Sequence, residues 1–509
     1  MAKKKSAFDR LPQRPAATDQ LNAQALQLLQ QGQFQSGAQL LQQSLTQNPR
    51  QPEVAYNLGY ALQQLGLLDQ AVQAYGQAIA LAPQDADALM ARGHGLATLK
   101  KFAEAEADFA KTVKLRSQDA DAWNNYGNVL LELERTLEAL AAYDRALALR
   151  PGFVQALFNK GKALGALERY TDAAAAYEAA LTINPNYEEA KWHLSWIYLV
   201  LGDFERGWRL FEARWTVPNL GNQRRYPHLP QWLGQASIAG KSLLLYAEQG
   251  LGDTLQFCRY VPLLQAMGAK VSLAVQKPLV SFLKDQWPDV LVAESFAAVS
   301  EFDLATPLMS LPLALGTRLA TIPAEVPYLC VDEPAQTAHE RLHVGLVWSG
   351  STGHKNDKNR SMAVETLAPL FQLPVNWVCL QPDLRESDLR WLAEHSEVTL
   401  DRPALNDFAE TARIIAGLDL VVTVDTAVAH LAGALGKPVW ILLPTGADYR
   451  WLLDRNDSPW YPTASLFRQE YREDWPELIA EVKQVISVLL ARPHVGTTLC
   501  NPNSQLGYR

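Results

Sequence analysis

Residues 418–444 read LDLVVTVDTAVAHLAGALGKPVWILLP. The run from Leu420 to Val424 is apolar and β-branched, as a buried strand requires, and it halts at Asp425-Thr426. A small-residue helix follows, carrying His430 and packing through Ala429, Ala432, Gly433 and Ala434. Gly436-Lys437-Pro438 ends it, and a second apolar strand begins at Val439. Strand, polar loop, helix, strand is an α/β unit, and open α/β sheets bind ligands at the carboxyl ends of their strands. The first N–H groups of the helix, near Thr426 and Ala427, suit a phosphate, and the helix dipole assists. His430 stands four residues after Thr426, one turn along and on the same face. A second reading stands beside this one: Asp425 is a helix cap and His430 a satisfied core histidine.

Residues 242–260, SLLLYAEQGLGDTLQFCRY, repeat the pattern. Ser242 to Ala247 is an apolar strand, Gly250-Leu251-Gly252-Asp253 a tight loop, and Thr254 the start of an amphipathic helix. Taken alone, Asp253 reads equally as an N-cap. Together the two stretches resemble glycosyltransferase family nine, the group containing the ADP-heptose lipopolysaccharide heptosyltransferases. That family has a Gly-Asp after its first strand and an Asp-Thr/Ser-Gly-x-x-His-Leu-x-x-Ala-Leu-x-x-Pro signature in its second lobe. The matching residues are Gly252-Asp253 and Asp425, Thr426, His430, Leu431, Ala434, Leu435 and Pro438. The departure is Ala427, where the heptosyltransferases usually have glycine. The resemblance spans residues 240–490.

The preceding half is a repeat array. Small residues recur at Ala25, Gly59, Gly93, Gly127, Gly161 and Ser195, each step 34 residues. Gly37, Ala71, Ala105, Ala139, Ala173 and Gly207 keep the same phase, as do Leu41, Tyr75, Phe109, Tyr143, Tyr177 and Phe211. Prolines close repeats at 49, 83, 151 and 185. This pattern looks like about six tetratricopeptide repeats, two helices each, from residue 18 to 217. The small residues let paired helices approach, and the aromatic is expected to fill the gap to the next unit. Such solenoids offer a concave binding face. Asp85–Asp87 and Asp119–Asp121 invite a metal reading, but they sit 34 residues apart where new helices start, and acidic residues there favour the dipole.

The 509 residues are 48% hydrophobic with 14 tryptophans, ample for several cores. A net charge of −8 gives no global basic field for nucleic acid. Cys258, Cys330, Cys379 and Cys500 are scattered without zinc spacing and read as reduced thiols of a cytoplasmic protein. The basic N-terminus, residues 1–17, lacks an apolar core and reads as a disordered tail rather than a signal. No run of 18 apolar residues predicts an integral membrane segment. Residues 218–239, rich in Pro, Gly, Asn and Gln, read as a junction. Residues 493–509 read as a flexible tail.

The expected fold is therefore α plus α/β: an all-α solenoid followed by two Rossmann-type α/β lobes. The resemblance implies the GT-B arrangement, with an acceptor-side lobe at 240–335 and a nucleotide-sugar lobe at 336–492. The first lobe is short for the family, and the array or its junction is expected to supply part of the acceptor surface. Strands are expected at 270–275, 290–292, 302–305, 343–348, 377–380 and 439–443. The second lobe opens with HVGLVWSGSTGHKNDKNRS, where Ser349, Gly350 and Ser351 can offer hydroxyl and N–H donors. Lys355, Lys358 and Arg360 place three cations on one loop, able to stabilise a departing diphosphate in place of a metal. By resemblance, the lysine of the family's Asp-Lys sequence maps to Lys358. Asp253 is the candidate general base, since inverting transfer needs a carboxylate beside the acceptor hydroxyl. Glu248, five residues earlier, competes for that role or orients Arg259 or the loop. Trp451 or Trp460, in DYRWLLDRNDSPWYP, is expected either to wall the donor pocket near the base or to be buried under a loop.

Two functions follow. The first is a metal-independent inverting glycosyltransferase that uses a nucleotide-diphosphate sugar, with the array recruiting a protein or glycan acceptor. The second is an interaction scaffold whose transferase half is degenerate.

Overall fold

The computed structural model describes residues 17–217, 220, 223–297, 299–331, 341–353, 356–472 and 474–491. Residues 1–16 and 493–509, most of the expected lobe boundary, Lys355 and Cys500 lie outside them. The chain divides into two compact units between Ala190 and Lys191.

The first unit holds five helix pairs: α1 (Ala17–Gln30) with α2 (Phe34–Gln47), α3 (Pro52–Gln64) with α4 (Leu68–Leu81), α5 (Ala86–Thr98) with α6 (Phe102–Leu115), α7 (Ala120–Glu132) with α8 (Thr136–Leu149), and α9 (Val154–Ala166) with α10 (Tyr170–Ile183). The 34-residue rhythm has a direct cause in packing. A Cβ placed on Gly59 would lie 2.6 Å from the Tyr75 ring, on Gly127 2.6 Å from Tyr143, and on Gly161 2.6 Å from Tyr177. Each ring thus covers the glycine of its own pair, sixteen residues earlier, and Phe109 and Tyr143 also share cores with Val129 and Ala163 of the following pair. The turn between paired helices takes a left-handed residue at a fixed place: Gly32, Gly66, Lys100, Glu134 and Glu168. The aspartates at the repeat starts are caps. Asp85 accepts from the N–H groups of Asp87 and Ala88, and Asp119 from those of Asp121 and Ala122. Asp87 and Asp121 pair instead with Arg116 and Arg150.

The second unit begins with a repeat-like helix pair, α11 (Glu188–Val200) and α12 (Phe204–Phe211), closed by a 3₁₀ turn at Glu212–Trp215. Two parallel sheets follow. The first has β1 (Ser242–Tyr246), β2 (Lys270–Ala274), β3 (Leu291–Ala293) and β4 (Leu304–Pro307), in the order β3-β2-β1-β4. The second has β5 (His343–Val347), β6 (Asn376–Cys379), β7 (Leu400–Asp401), β8 (Leu420–Val424), β9 (Val439–Leu443) and β10 (Ala464–Arg468). Its order is β10-β9-β8-β5-β6-β7. In register Leu346 faces Cys379 and Val422, and Val424 faces Leu442. β8 and β9 are buried throughout, so their alternation is lost and each reads as a continuous apolar run. Trp348, Trp440 and Phe467 share the second core with helix Trp475–Leu490. β7 and β10 fell outside the expected strands, β7 because it is two residues long.

Substituting Gly127→Ala drives a methyl group into Tyr143. The expected loss is about 1–3 kcal/mol, the usual cost of overpacking. Gly152→Ala, where nothing lies within 4 Å, is the control. Urea titration of both variants checks this, and equal midpoints would remove the packing explanation of the repeat.

Candidate active site

The site forms where the carboxyl ends of β1, β5 and β8 meet. Helix Leu251–Phe257 follows β1, and helix Ala427–Ala434 follows β8. They touch through Gly252: a Cβ there would lie 2.7 Å from His430 Cδ2 and 3.5 Å from Ala427 Cα. Gly252 is therefore fixed by the close approach of the two lobes. Ala427, the departure from the family signature, stands at that contact.

Asp253 is the third residue of its helix, and the cap is Gly250. The Asp253 Oδ2 atom accepts from the Gly250 N–H at 2.7 Å, the reaching-back half of a capping box. Oδ1 accepts from Arg450. Arg450 also donates to Asp448 Oδ1 at 2.7 Å and, through Nε, to Gln256 Oε1 at 2.7 Å. This buried arginine thus joins two residues of the first lobe to one of the second. It was not anticipated from the sequence; the signal was an arginine two residues after an aspartate inside an aromatic run.

Glu248 does not orient Arg259. Its partner is Arg214, on the turn after α12, at 2.9 Å. Arg214 is fully buried and also bonds Glu212 Oε1 at 2.7 Å and Ser310 Oγ at 2.7 Å. Burial pushes the Glu248 carboxyl up to about 7, against the pull of Arg214 and with help from Glu212 and Asp253. Arg259 instead donates to the carbonyls of Gln256, Pro323 and Trp460 and to the Tyr328 hydroxyl.

Thr426, not Asp425, stands at the N-cap position, without a side-chain bond to the helix, and its hydroxyl lies 3.2 Å from that of Thr423. Asp425 is pushed up to about 6 by burial and the neighbouring Asp448, with Arg450 opposing. His430 is buried; its Nδ1 lies 2.9 Å from the Tyr461 hydroxyl and its ring stacks on Trp451 at 5.4 Å. Burial, with Arg450 and Arg259 nearby, holds it well below the ordinary histidine value, so the ring is neutral. Trp451 is fully buried against His430, and Trp460 stacks on Phe204. Both therefore sit in the interior.

Arg360 donates to the Asp425 carbonyl at 2.9 Å and lies over Gly350, bringing the loop after β5 to the end of β8. Lys358 is exposed, beside a small pocket lined also by Thr445, Gln469 and Arg472. Its neighbour Asp357 is an anchor, bonded to Ser361 at 2.6 Å and Arg385 at 2.6 Å. The donors expected at Ser349–Ser351 are largely engaged within the protein. Ser349 N–H and Gly350 N–H donate to Gln381 and Ser361, and Ser349 Oγ accepts from Gln381 at 2.6 Å. Gly252, Ala427 and His430 thus meet at one contact, and Asp253 follows Gly252 directly in the chain. Arg360 reaches Asp425 from the loop after β5.

A helical repeat array and a two-lobed parallel α/β fold with charged groups at facing strand ends define a repeat-bearing chain with a GT-B-like domain. Residues 28–94, 90–152 and 154–187 match tetratricopeptide repeats. Residues 377–443 match glycosyltransferase family 9 (heptosyltransferase), so the matches run in the order of tetratricopeptide repeats followed by a family 9-like segment. Protein FlbA of Caulobacter vibrioides is 28% identical over 320 residues, 56% of this chain. The chain spans about half, 53%, of that curated relative. Among solved structures, MamA from Desulfovibrio magneticus RS-1 is 19% identical with a TM-score of 0.32, covering 33% of this chain and 96% of that one. Pseudomonas aeruginosa pilF is 18% identical with a TM-score of 0.35, covering 40% of this chain and 92% of its own. Among the described residues no helix is long and apolar enough to cross a membrane.

The raised Glu248 pKa has a definite linkage. Between the ordinary 4.5 and about 7 the folded chain keeps a proton that the unfolded chain has lost. Glu248 therefore lowers stability progressively as pH rises through that window. Glu248→Gln should flatten this part of the stability–pH curve relative to the parent, measured by urea unfolding at pH 5 and pH 7.5. Parallel curves would remove the assignment.

Proposed function

We propose that the C-terminal domain is an inverting glycosyltransferase that takes a nucleotide-diphosphate sugar without a metal ion, and that the repeats recruit a protein or glycan acceptor. The observation that carries this reading is the contact of Gly252, the residue before Asp253, with His430 and with Ala427 at the start of the Ala427–Ala434 helix. It brings the segment bearing a carboxylate in one lobe against a helix terminus suited to phosphate in the other.

In the proposed reaction the acceptor hydroxyl oxygen attacks the anomeric carbon as the bond to the diphosphate oxygen breaks. Asp253 takes the hydroxyl proton. A carboxylate offers about four lone-pair positions, so Asp253 can accept from a hydroxyl while keeping Gly250 and Arg450. Arg450 orients it from the second lobe. The first-turn N–H groups near Thr426 and Ala427, with Lys358 and Arg360, receive the charge that develops on the diphosphate. Neutral His430 packs beneath this contact, and Lys355 would add a further cation. Because Asp253, Arg450 and Arg360 are held before substrate arrives, little reorganisation of these groups accompanies the reaction.

The donor half of this reading is tested by melting temperature. UDP, ADP, GDP and CMP are added in EDTA, and at least one should raise it. A shift that appears only with magnesium would overturn the metal-free mechanism. A set with no shift under either condition would favour the scaffold reading.

The catalytic half is tested by Asp253→Asn. Turnover should fall by roughly 10²–10⁴, the usual worth of a positioned base. Asparagine can still accept from Gly250 but gives Arg450 no charge, so melting temperature must be read alongside. Parent-like turnover in a folded Asp253→Asn would move the base role to Glu248.

A further inference from the structure

The carboxyl end of β1 carries two acidic residues, and each is held by a different buried arginine. Asp253 is held by Arg450 of the second lobe. Glu248 is held by Arg214, which lies outside both sheets on the turn that follows the repeat-like helix α12. Arg214 is 0% exposed and its bonds are directional: Nε and Nη2 to Glu248 Oε1, Nη2 to Ser310 Oγ, Nη1 to Glu212 Oε1 and the Phe211 carbonyl. Ser310 in turn donates to Glu212 Oε1 at 2.7 Å, and Gln231 to Glu212 Oε2 at 3.1 Å. One guanidinium therefore gathers the α12 turn, the loop after β4 and the end of β1. Among its carboxylate partners, Glu248 Oε2 is buried with no hydrogen-bond partner.

The helix before that turn is built into the same wall. Trp208 packs edge-on against Phe257 and Tyr449, Phe211 meets Tyr449, and Phe204 stacks on Trp460. Phe257 belongs to the Asp253 helix, and Tyr449 adjoins Arg450. The α12 face that would cover a following repeat in a longer array covers the transfer site instead.

We propose that Arg214 is a positioning residue of the transfer site, and that α12 with its turn serves the catalytic domain although its sequence reads as the end of the array. By fixing Glu248, Arg214 fixes the start of the 247–250 loop that leads into the helix bearing Asp253, and with it the reach of Asp253. Arg214 touches no reacting atom. The inference rests on the transfer reading for its consequence in turnover, but the tether itself is a property of the fold.

The test uses the full chain. Arg214→Lys keeps the charge and loses the planar fork. Arg214→Met with Glu248→Gln removes the arginine without stranding the Glu248 charge. Ser310→Ala removes two hydrogen bonds, to Arg214 and to Glu212, and no charge, and it is the mild variant that keeps the result interpretable if the others fail to fold. Hydrogen exchange at amides 247–253 should speed up by about tenfold or more in the arginine variants, and less in Ser310→Ala, while β8 and β9 stay protected. Turnover of the UDP-, ADP- or GDP-sugar that the parent hydrolyses should fall by a similar factor, with KM and the diphosphate-induced melting shift unchanged. Parent-like exchange at 247–253 in folded variants overturns the tether. Faster exchange with parent-like turnover overturns the positioning role. A parent that binds no diphosphate sugar defeats the transfer reading alone, because exchange still reports on Arg214.

Discussion

The α/β half turns on one buried guanidinium. Arg450 reaches Asp253 and Gln256 in the first lobe and Asp448 in the second. Moving such a charge out of water is costly, and its partners compensate only because all three edges of the group are matched. Removing one partner would strand a charge, a loss of about 3–5 kcal/mol for buried pairs. The structure therefore tolerates little drift between the lobes at this point. The same charge sets the local electrostatics: it opposes the burial that lifts Asp425, and it adds to the burial that keeps His430 neutral.

Around that charge the constraint is steric. Gly252 brings one helix within van der Waals reach of His430 and of the start of the next. Any side chain there would separate the two termini whose proximity defines the site. The glycine and the arginine act together: one permits the approach, the other holds it. Arg360 extends this arrangement to the loop after β5 by bonding the Asp425 carbonyl.

What could be read from the chain divides by the range of the interaction. The repeats were legible because each Gly59–Tyr75 or Gly127–Tyr143 contact spans sixteen residues and recurs every 34, so local pattern and tertiary packing coincide. β1, β8 and β9 were legible as apolar runs, and Gly252-Asp253 and Asp425–His430 as polar breaks after strands. The partners of those residues were not. Asp253 and Arg450 are 197 positions apart, and nothing local marks an arginine in DYRW as the mate of a distant aspartate. The partner of Ser349 was hidden for the same reason: Gln381, which donates to its hydroxyl, lies 32 residues on, at the end of the neighbouring strand. The aspartates at 85 and 119 went the other way, since helix capping is local and the sequence reading of those positions held.

Glu248 and Asp253 show how one strand end can hold two carboxyls of different character. Glu248 lies in the loop after β1 and Asp253 in the first turn of the helix that follows, yet their surroundings diverge. Asp253 has both oxygens engaged, one by a backbone N–H and one by an arginine. Glu248 shares its arginine with Glu212 and keeps one buried oxygen without a partner, and burial lifts it to about 7. Burial in the company of another carboxylate favours the protonated form, whereas donors aimed at both oxygens favour the charged one. The environment thus separates the pair: donors engage both oxygens of Asp253, whereas burial holds the Glu248 carboxyl up at about 7. The separation follows from which arginine each faces, one brought by the second lobe and the other by the turn after α12, so the chemistry open to the β1 edge depends on segments lying on either side of it in the chain.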